Sequence, residues 1–386
     1  MKKSLIACAC MVASLAQAQT SGATQEKTPL SVYGLVDLSV QSVSRGDSSA
    51  NAGTPVNGKV SGAVDTSRLG ARLDYALDGG DTLGAVVEAS ILNNAQTNGV
   101  TTTGTTLNSI FDRGAYLSYG NPRWGRLDFG YAPNPLINVV TVPMGGNSVN
   151  VATAYAMNFT EFYNTSSLTY STPNLSGFRG QLQYGAPDQI PATNVASTTT
   201  NKLTSAGAVV AGIADYANGP LGLSLAAQHR AAGTAGAGTA ANPNTPEKTT
   251  IIAAVRYATG SLKLGASYWQ NAVNSDAANT VSAYTINAWQ LGFSYGFAKD
   301  WTGGASYSSN SVGSNMTNVQ LQYALNKSTT IYTQINGVNN SDAATRSSGG
   351  YGSFFTVNAP SVANLTPFGV NNGSATAVGA GVIYRF

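Results

Sequence analysis

Apolar residues recur at every second position of this chain, in one segment after another. That period is the one at which successive side chains leave opposite faces of a β-strand. In "SRLGARLDYAL", Leu69, Ala71, Leu73 and Tyr75 fall on one face, and Arg68, Gly70, Arg72 and Asp74 on the other. "TLGAVVEASIL" sets Ala85, Val87 and Ala89 against Gly84, Glu88 and Ser90. Sixteen such segments can be drawn, from "LSVYGLVDLSV" to "SATAVGAGVIYRF", and long helical periodicity is absent. The sequence stops on Phe386, which shares a face with Val378, Ala380, Val382 and Tyr384. Chain ends usually fray into polar tails, so an aromatic there implies a pinned, structural end.

The connections alternate in length. "DGGD", "NPRWG", "PNLSG", "ANGP", "TG", "AKD" and "NKS" are short, and "DGGD" is a tight-hairpin signal. Residues 44–63, 93–108, 186–202, 230–247, 271–283 and 340–371 form long polar connections. This pattern predicts an antiparallel up-and-down sheet with one quiet rim and one elaborate rim. Aromatic residues cluster beside the short turns, namely Tyr75, Tyr119, Trp124, Tyr184, Tyr216, Tyr257, Phe297, Trp301, Tyr323 and Tyr384. They read as an interfacial girdle.

Charged residues make up only 10% of the chain, yet mean hydropathy is −0.04. No run in the body is apolar enough for a membrane helix. In lipid only helices and closed barrels satisfy every backbone polar group. Sixteen strands close around a lumen wide enough for water. With half of each strand facing lipid and half facing water, the average hydropathy follows. The fold class predicted is therefore an all-β, 16-stranded antiparallel transmembrane β-barrel. A soluble exported sandwich or solenoid shares the alternation. It requires neither the even count, the alternating connections nor the terminal aromatic.

Residues 1–18 read as a secretory signal peptide. Lys2 and Lys3 precede the apolar "LIACACMVASL", and "AQA" (Ala16 to Ala18) ends it. Cys8 and Cys10 leave with that segment, so residues 19–386 form the barrel domain with neither thiol nor disulfide. Loss of the two lysines takes the net charge from +3 to +1. That is too weak to suggest nucleic acid as a partner.

Signals for catalysis and cofactors are thin. "GFSYG" (Gly292 to Gly296) fits a nucleophile pattern around Ser294. That pattern needs a strand-to-helix elbow and a histidine; here it lies within an alternating segment, and the one histidine is His229. "GAGTAA" (Gly236 to Ala241) imitates a dinucleotide fingerprint without a following helix. One histidine and no mature cysteine leave no conventional zinc site, and the acids lack calcium-loop spacing. No catalytic residue, metal or cofactor is expected.

In order and spacing, four stretches resemble the general porins of Gram-negative bacteria, of the trimeric 16-stranded kind found in beta-proteobacteria. They are "LSVYGLVDLSV", "SRLGARLDYALDGG", "FDRGAYLSYG" and the closing "GVIYRF". The resemblance spans the mature chain. It implies an outer-membrane channel for passive diffusion of small hydrophilic solutes and ions, with short periplasmic turns and long extracellular loops. It also implies a homotrimer in contact with outer-membrane lipid and lipopolysaccharide, inserted by the outer-membrane assembly machinery. Tyr384 and Phe386 stand where the assembly signal belongs. A third loop, about 132–164, is expected to fold into the lumen and narrow it.

Two departures from the family pattern bear on selectivity. "VPMGGNSV" carries no acid, leaving Glu161 as that loop's charged residue, and Gly130, Tyr131, Ala132 stand where the family has a wall arginine. Arg68, Arg72 and Arg113 are the wall arginines that survive, with Glu88 facing the same water. Arg113 shares a face with Leu117 and Tyr119 unless a bulge intervenes. A basic wall with little opposing acid predicts weak anion preference. A barrel acting as an adhesin or surface receptor is the alternative, with a barrel enzyme behind it. A conductance step in a planar bilayer separates the first reading from both.

Overall fold

The computed structural model describes residues 30–46, 56–61, 64–91, 111–140, 163–187, 207–232, 247–274, 283–340 and 373–386. The strands, in chain order, are β1 (Leu30–Gly46), β2 (Val56–Ser61), β3 (Arg68–Ala76), β4 (Thr82–Ser90), β5 (Gly114–Asn121) and β6 (Gly125–Pro133). They continue with β7 (Tyr163–Ser171), β8 (Phe178–Gly185), β9 (Val209–Asn218), β10 (Leu221–Arg230), β11 (Lys248–Thr259) and β12 (Leu262–Val273). The last five are β13 (Tyr284–Ala298), β14 (Trp301–Asn310), β15 (Asn315–Ala324), β16 (Thr329–Asn340) and β17 (Gly373–Arg385). Each pairs antiparallel with its neighbours in one sheet, and β17 returns to β1.

Seventeen strands make sixteen staves. β2 lies along β1 from Leu38 to Val43, and β3 takes over the same edge from Leu35 to Leu30. The two are one stave, interrupted between them. The sequence pattern placed residues 44–63 in a single long connection; β2 corrects that expectation. The remaining fifteen staves each contain one of the alternating segments. The connection 311–314 is another departure, because it is as short as the turns although it lies on the rim of long loops.

Closure follows the register. β1 and β17 run in step from Leu35↔Arg385 to Gly46↔Ser374. Phe386 extends the seam, its N–H donating to the Gly34 carbonyl at 3.1 Å and its carbonyl accepting from the Gly34 N–H at 3.0 Å. The Phe386 ring occupies the space above Gly34, where an added Cβ would lie 2.4 Å from it. Among the described residues the sheet closes on itself, so the spanning strands present no free edge to lipid.

The two faces have opposite chemistry. On β6, Phe129 is 65% exposed while its neighbour Asp128 is 5% exposed. Around the barrel the outer face carries the exposed leucines, valines and aromatics, and the inner face carries Ser, Thr, Asn, Gln and the charged groups. Aromatic pairs mark the short-turn rim, among them Tyr119–Trp124 (5.7 Å), Phe178–Tyr216 (4.4 Å) and Trp301–Tyr323 (4.8 Å). Tyr184 is not among them: it stands at the far end of β8, opposite Val210 and Leu168. The "DGGD" connection is a 3-10 turn, Asp78–Gly80, closed by Leu77 N–H to the Asp81 carbonyl at 2.8 Å. Gly79 and Gly80 hold φ of 86° and 88°, a region that glycine enters without a Cβ penalty.

Candidate functional site

The candidate site is the inner face of the barrel. The described segment that enters the lumen begins at a bulge. The β6–β7 register shifts between Gly130 and Ala132, with Gly130 at φ 135°. A Cβ on Gly130 would lie 2.5 Å from the Ala115 carbonyl, so glycine is needed there. Beyond the bulge the chain turns inward through Asn134 into the one-turn helix α1 (Ile137–Val140). The Asn134 side chain accepts from the Leu136 N–H at 3.0 Å and donates to Gln228 of β10. Gln183 donates to the Pro133 carbonyl at 3.0 Å, and Asn138 donates to Gln181 at 3.1 Å.

Leu136 and Val139 are fully buried against an apolar patch of the inner wall that includes Val209, Ala211, Ile213, Ile252 and Trp269. An apolar inner patch is out of place in a wetted lumen unless something covers it; here the start of the third loop does. The loop is thus anchored inside the barrel at its first turn. Glu161 and residues 141–162 lie outside the described residues, as does the proposed signal peptide.

Arg68, Arg72 and Glu88 share the inner face: β3 pairs Gly70 with Glu88 and Arg72 with Val86, opposite the outward Leu69, Ala71 and Leu73. Arg113 joins them. It precedes β5 on a bend, outside the strand's alternation, and its Nε meets Glu88 Oε1 at 2.6 Å. Tyr33 donates to the other Glu88 oxygen at 2.9 Å, and the Arg113 guanidinium lies 5.8 Å from the Tyr163 ring. The bend settles which way Arg113 faces.

On this wall each arginine has a carboxylate. Arg68 meets Asp65 at 2.8 Å, Arg72 meets Asp74 at 2.6 Å, and Arg126 grips Asp128 through two contacts of 2.8 Å. Opposite lies a group that sequence reasoning did not single out. The strands β8 to β12 carry Arg179, Arg230, Lys248, Arg256 and Lys263 on the inner face, and Asp215 is the one acid in those strands. Among the described residues, Arg179, Arg256 and Lys263 form no ion pair. The signal was present in "TTIIAAVRYA", where Arg256 alternates with Val255 and Tyr257 of the outer face. From β13 to β16 the wall changes again, with no Asp, Glu, Lys or Arg in any of those strands.

A buried carboxylate organises the interrupted stave. Asp37 of β1 is fully buried and faces inward at the gap between β2 and β3. It accepts from Tyr332 Oη at 2.6 Å and from the N–H groups of Val64 at 2.7 Å and Asp65 at 2.8 Å. Ser67 Oγ accepts from the Asp37 N–H at 2.9 Å. The side chains of Asp37 and Ser67 thus supply the backbone hydrogen-bonding that the missing strand residues cannot.

Ser294 and His229 do not meet. Ser294 lies mid-strand on the inner face of β13, while His229 is on the outer face of β10 with its Nδ1 3.2 Å from Thr249. The elbow that a nucleophile requires is absent from β13. Among the described residues no cluster of His, Cys, Asp or Glu could hold a metal.

A closed, sixteen-stave barrel with an apolar exterior, a polar interior and a loop anchored inside defines the porin class of outer-membrane barrels. The chain belongs to the Gram-negative porin family, whose model matches residues 4–343, and its location is the outer membrane. An outer membrane porin protein of Bordetella pertussis is 28% identical over 244 residues; the match spans 58% of each chain. Among solved structures, an anion-selective porin from Comamonas acidovorans superposes with a TM-score of 0.66 at 21% identity, covering 92% of this chain and 99% of that one. The trimer form of OmpT from Vibrio cholerae gives 0.57 at 16% identity, covering 92% and 99%. These structural likenesses show the fold.

Proposed function

We propose that the chain is a passive channel for small hydrophilic solutes and ions, with a preference for anions, working as a homotrimer. The observation that carries the preference is the imbalance between the inner walls. On β3 to β6 the arginines are neutralised by carboxylates at contact distance. On β8 to β12 Arg179, Arg256 and Lys263 form no ion pair among the described residues, and Asp215 is the one acid in those strands. Fixed positive charge in a lumen raises the local concentration of anions and lowers that of cations. The direction agrees with the anion-selective Comamonas structure, and the trimer with the OmpT form.

Arg68, Arg72, Arg113 and Glu88 have a smaller part in this reading than the unpaired cations, since an ion pair presents a dipole where a lone guanidinium presents a charge. Tyr384 and Phe386 serve as the assembly signal, and their placement at the seam supports that role. Residues 1–18 are the signal peptide, and the third loop narrows the bore.

The test is the reversal potential of the reconstituted channel in a potassium chloride gradient. Chloride preference is expected, and it should fall in Arg256→Met and Lys263→Met more than when a whole pair is neutralised, as in Arg72→Met with Asp74→Asn. A clear preference for potassium in the unmodified channel would overturn the proposal.

A further inference from the structure

The break in the second stave sets an acid against the inner wall. On β1 only Val36 and Asp37 lie between Leu35, which pairs with Arg68, and Leu38, which pairs with Ser61. On the other side of that gap residues 62–67 join Ser61 to Arg68, too many to remain in the sheet. The hydrogen bonds give the direction in which the surplus leaves. The N–H groups of Val64 and Asp65 donate to the inward Asp37 carboxylate rather than to the backbone of β1. Val64 is buried with Leu35, Tyr332 and Ile383, inward residues of β1, β16 and β17. Tyr332 reaches Asp37 by lying across Gly381 of β17, where an added Cβ would stand 2.5 Å from the Tyr332 Oη. Residues 64–67 therefore form a ledge on the inner wall. Asp37 pairs with Ile383, and Ile383 with Thr330 at the start of β16, so the ledge stands near the short-turn rim.

Asp65 is the charged residue of that ledge. Its carboxylate meets Arg68 Nη1 at 2.8 Å and Arg385 Nη2 at 3.7 Å. Arg68 shares the inner face with Arg72, and Arg385 shares it with Ile383, opposite the outward Val382 and Tyr384. Among the described residues, Asp65 is the one carboxylate at ion-pair distance from either arginine. The Asp65 side chain is 20% exposed and that of Arg385 48%, so the pair is open to water. With the buried Asp37 the group holds two carboxylates and two guanidiniums, and its net charge is zero.

We infer that Asp65 is a selectivity-determining residue of the short-turn mouth, where it cancels Arg68 and Arg385 and so limits the channel's preference for anions. Arg256 and Lys263 have no such partner among the described residues. A neutral side chain at position 65 leaves the ledge with one uncompensated positive charge. At physiological salt that charge acts over about 8 Å. Ions passing within that distance are sorted by sign, anions enriched and cations depleted. The ledge owes its place to Asp37 through the backbone of residues 64 and 65, so the side chain of Asp65 can change without removing the clamp. This inference rests on the channel reading, but not on the sign of its selectivity, because loss of the Asp65 charge shifts the ratio towards chloride from any starting value.

The test is the chloride-to-potassium permeability ratio of the reconstituted channel in a planar bilayer. Asp65→Asn should raise the ratio about twofold, and Arg68→Met should lower it by about the same factor. The double variant, neutral again, should return it to that of the unmodified channel. Asp65→Cys places a single thiol in residues 19–386, which have none of their own. In that variant a membrane-impermeant, negatively charged thiosulfonate reagent should restore the original ratio, and a positively charged one should raise it further. An ion pair with a structural role alone would not give that opposite response. A ratio unmoved in Asp65→Asn, or an Asp65→Cys channel whose ratio neither reagent changes, overturns the inference while the anion reading stands. Potassium preference in the unmodified channel, with the shifts at Asp65 as given, overturns the anion reading and leaves the role of Asp65 in place.

Discussion

Asp37 allows a worked estimate of how much one buried group contributes to the barrel. It is fully buried and accepts three hydrogen bonds, from Tyr332 Oη, Val64 N–H and Asp65 N–H. In Asp37→Ala all three donors lose their acceptor. A buried unsatisfied donor costs about 1–3 kcal/mol, and losses within one network do not add fully, so about 3–6 kcal/mol is expected. Asp37→Asn retains the shape but turns one acceptor into a donor facing a donor, for a loss of about 1–3 kcal/mol. Tyr332→Phe removes one bond to a charged group and should cost about 2 kcal/mol. Asp74→Ala is the control: it removes an ion pair whose partners are half-exposed, at 50% and 58%, and should cost under about 1 kcal/mol. The assay is urea unfolding of barrels refolded into vesicles, followed by tryptophan fluorescence and by gel mobility of the folded form. A coupling energy between Asp37→Asn and Tyr332→Phe should appear in the double mutant. If Asp37→Ala costs no more than Asp74→Ala, the claim that Asp37 holds the interrupted stave together is wrong.

Three further outcomes follow from the same contacts. A side chain on Gly34 would meet the Phe386 ring and, at 2.9 Å, the Arg68 carbonyl; Gly34→Val and Phe386→Ala should therefore both depress refolding yield, and wild-type yield in Gly34→Val would show that the seam tolerates the collision. Leu136→Ala removes a fully buried anchor of the third loop, a change on the scale of about 2–5 kcal/mol; single-channel records should become noisier, and an unaltered mean and variance would show that other contacts hold the loop. At the first short turn, hydrogen bonds from Tyr119 and Asn121 hold the Asp81 carboxyl below the usual carboxylate range. The stabilisation is therefore complete above that range and is lost as pH falls through the lowered value. Amide exchange at Leu77 should quicken there in the native barrel and lose this pH dependence in Asp81→Asn.

The alternation carried nearly all of the barrel because a two-residue period is a local property, read without knowing any partner. It placed Arg68, Arg72 and Glu88 on one face, and the register agrees. It failed where the backbone leaves the regular strand. Arg113 faces inward because a bend precedes Gly114, and bends do not announce themselves in hydropathy. β2 escaped notice because "VNGKVS" is short and polar, and β1 is what orders it. Asp37 read as one more polar inner position, because its three donors come from segments distant in sequence. "LINVV" supplies the apolar groups of the loop anchor, but their wall consists of inward Val209, Ala211, Ile213 and Ile252. Those residues interrupt the polar alternation of their strands, and that interruption was the available sign that something covers them.

The same distinction explains why the arginines best matched to the family pattern contribute least to the proposed selectivity. Parity fixes the face a charge occupies; the field it projects depends on its partners. Arg113 is neutralised by Glu88 at 2.6 Å and Arg126 by Asp128 at 2.8 Å, and at such separations a pair's potential falls off much faster with distance than a lone charge's. In a solvated lumen at physiological salt a bare charge is itself screened over about 8 Å. Selectivity therefore rests on cations that solutes must pass within that distance and that have no carboxylate to spend their field on. Arg256 and Lys263 meet the second condition. The loop anchored by Leu136 and Val139 bears on the first, because it occupies the inner wall at Ile252 and Trp269, on the same strands and immediately beyond the two cations. The anchor and the two cations therefore share β11 and β12, so the order of residues along two strands sets the proposed source of anion preference beside the loop that enters the lumen.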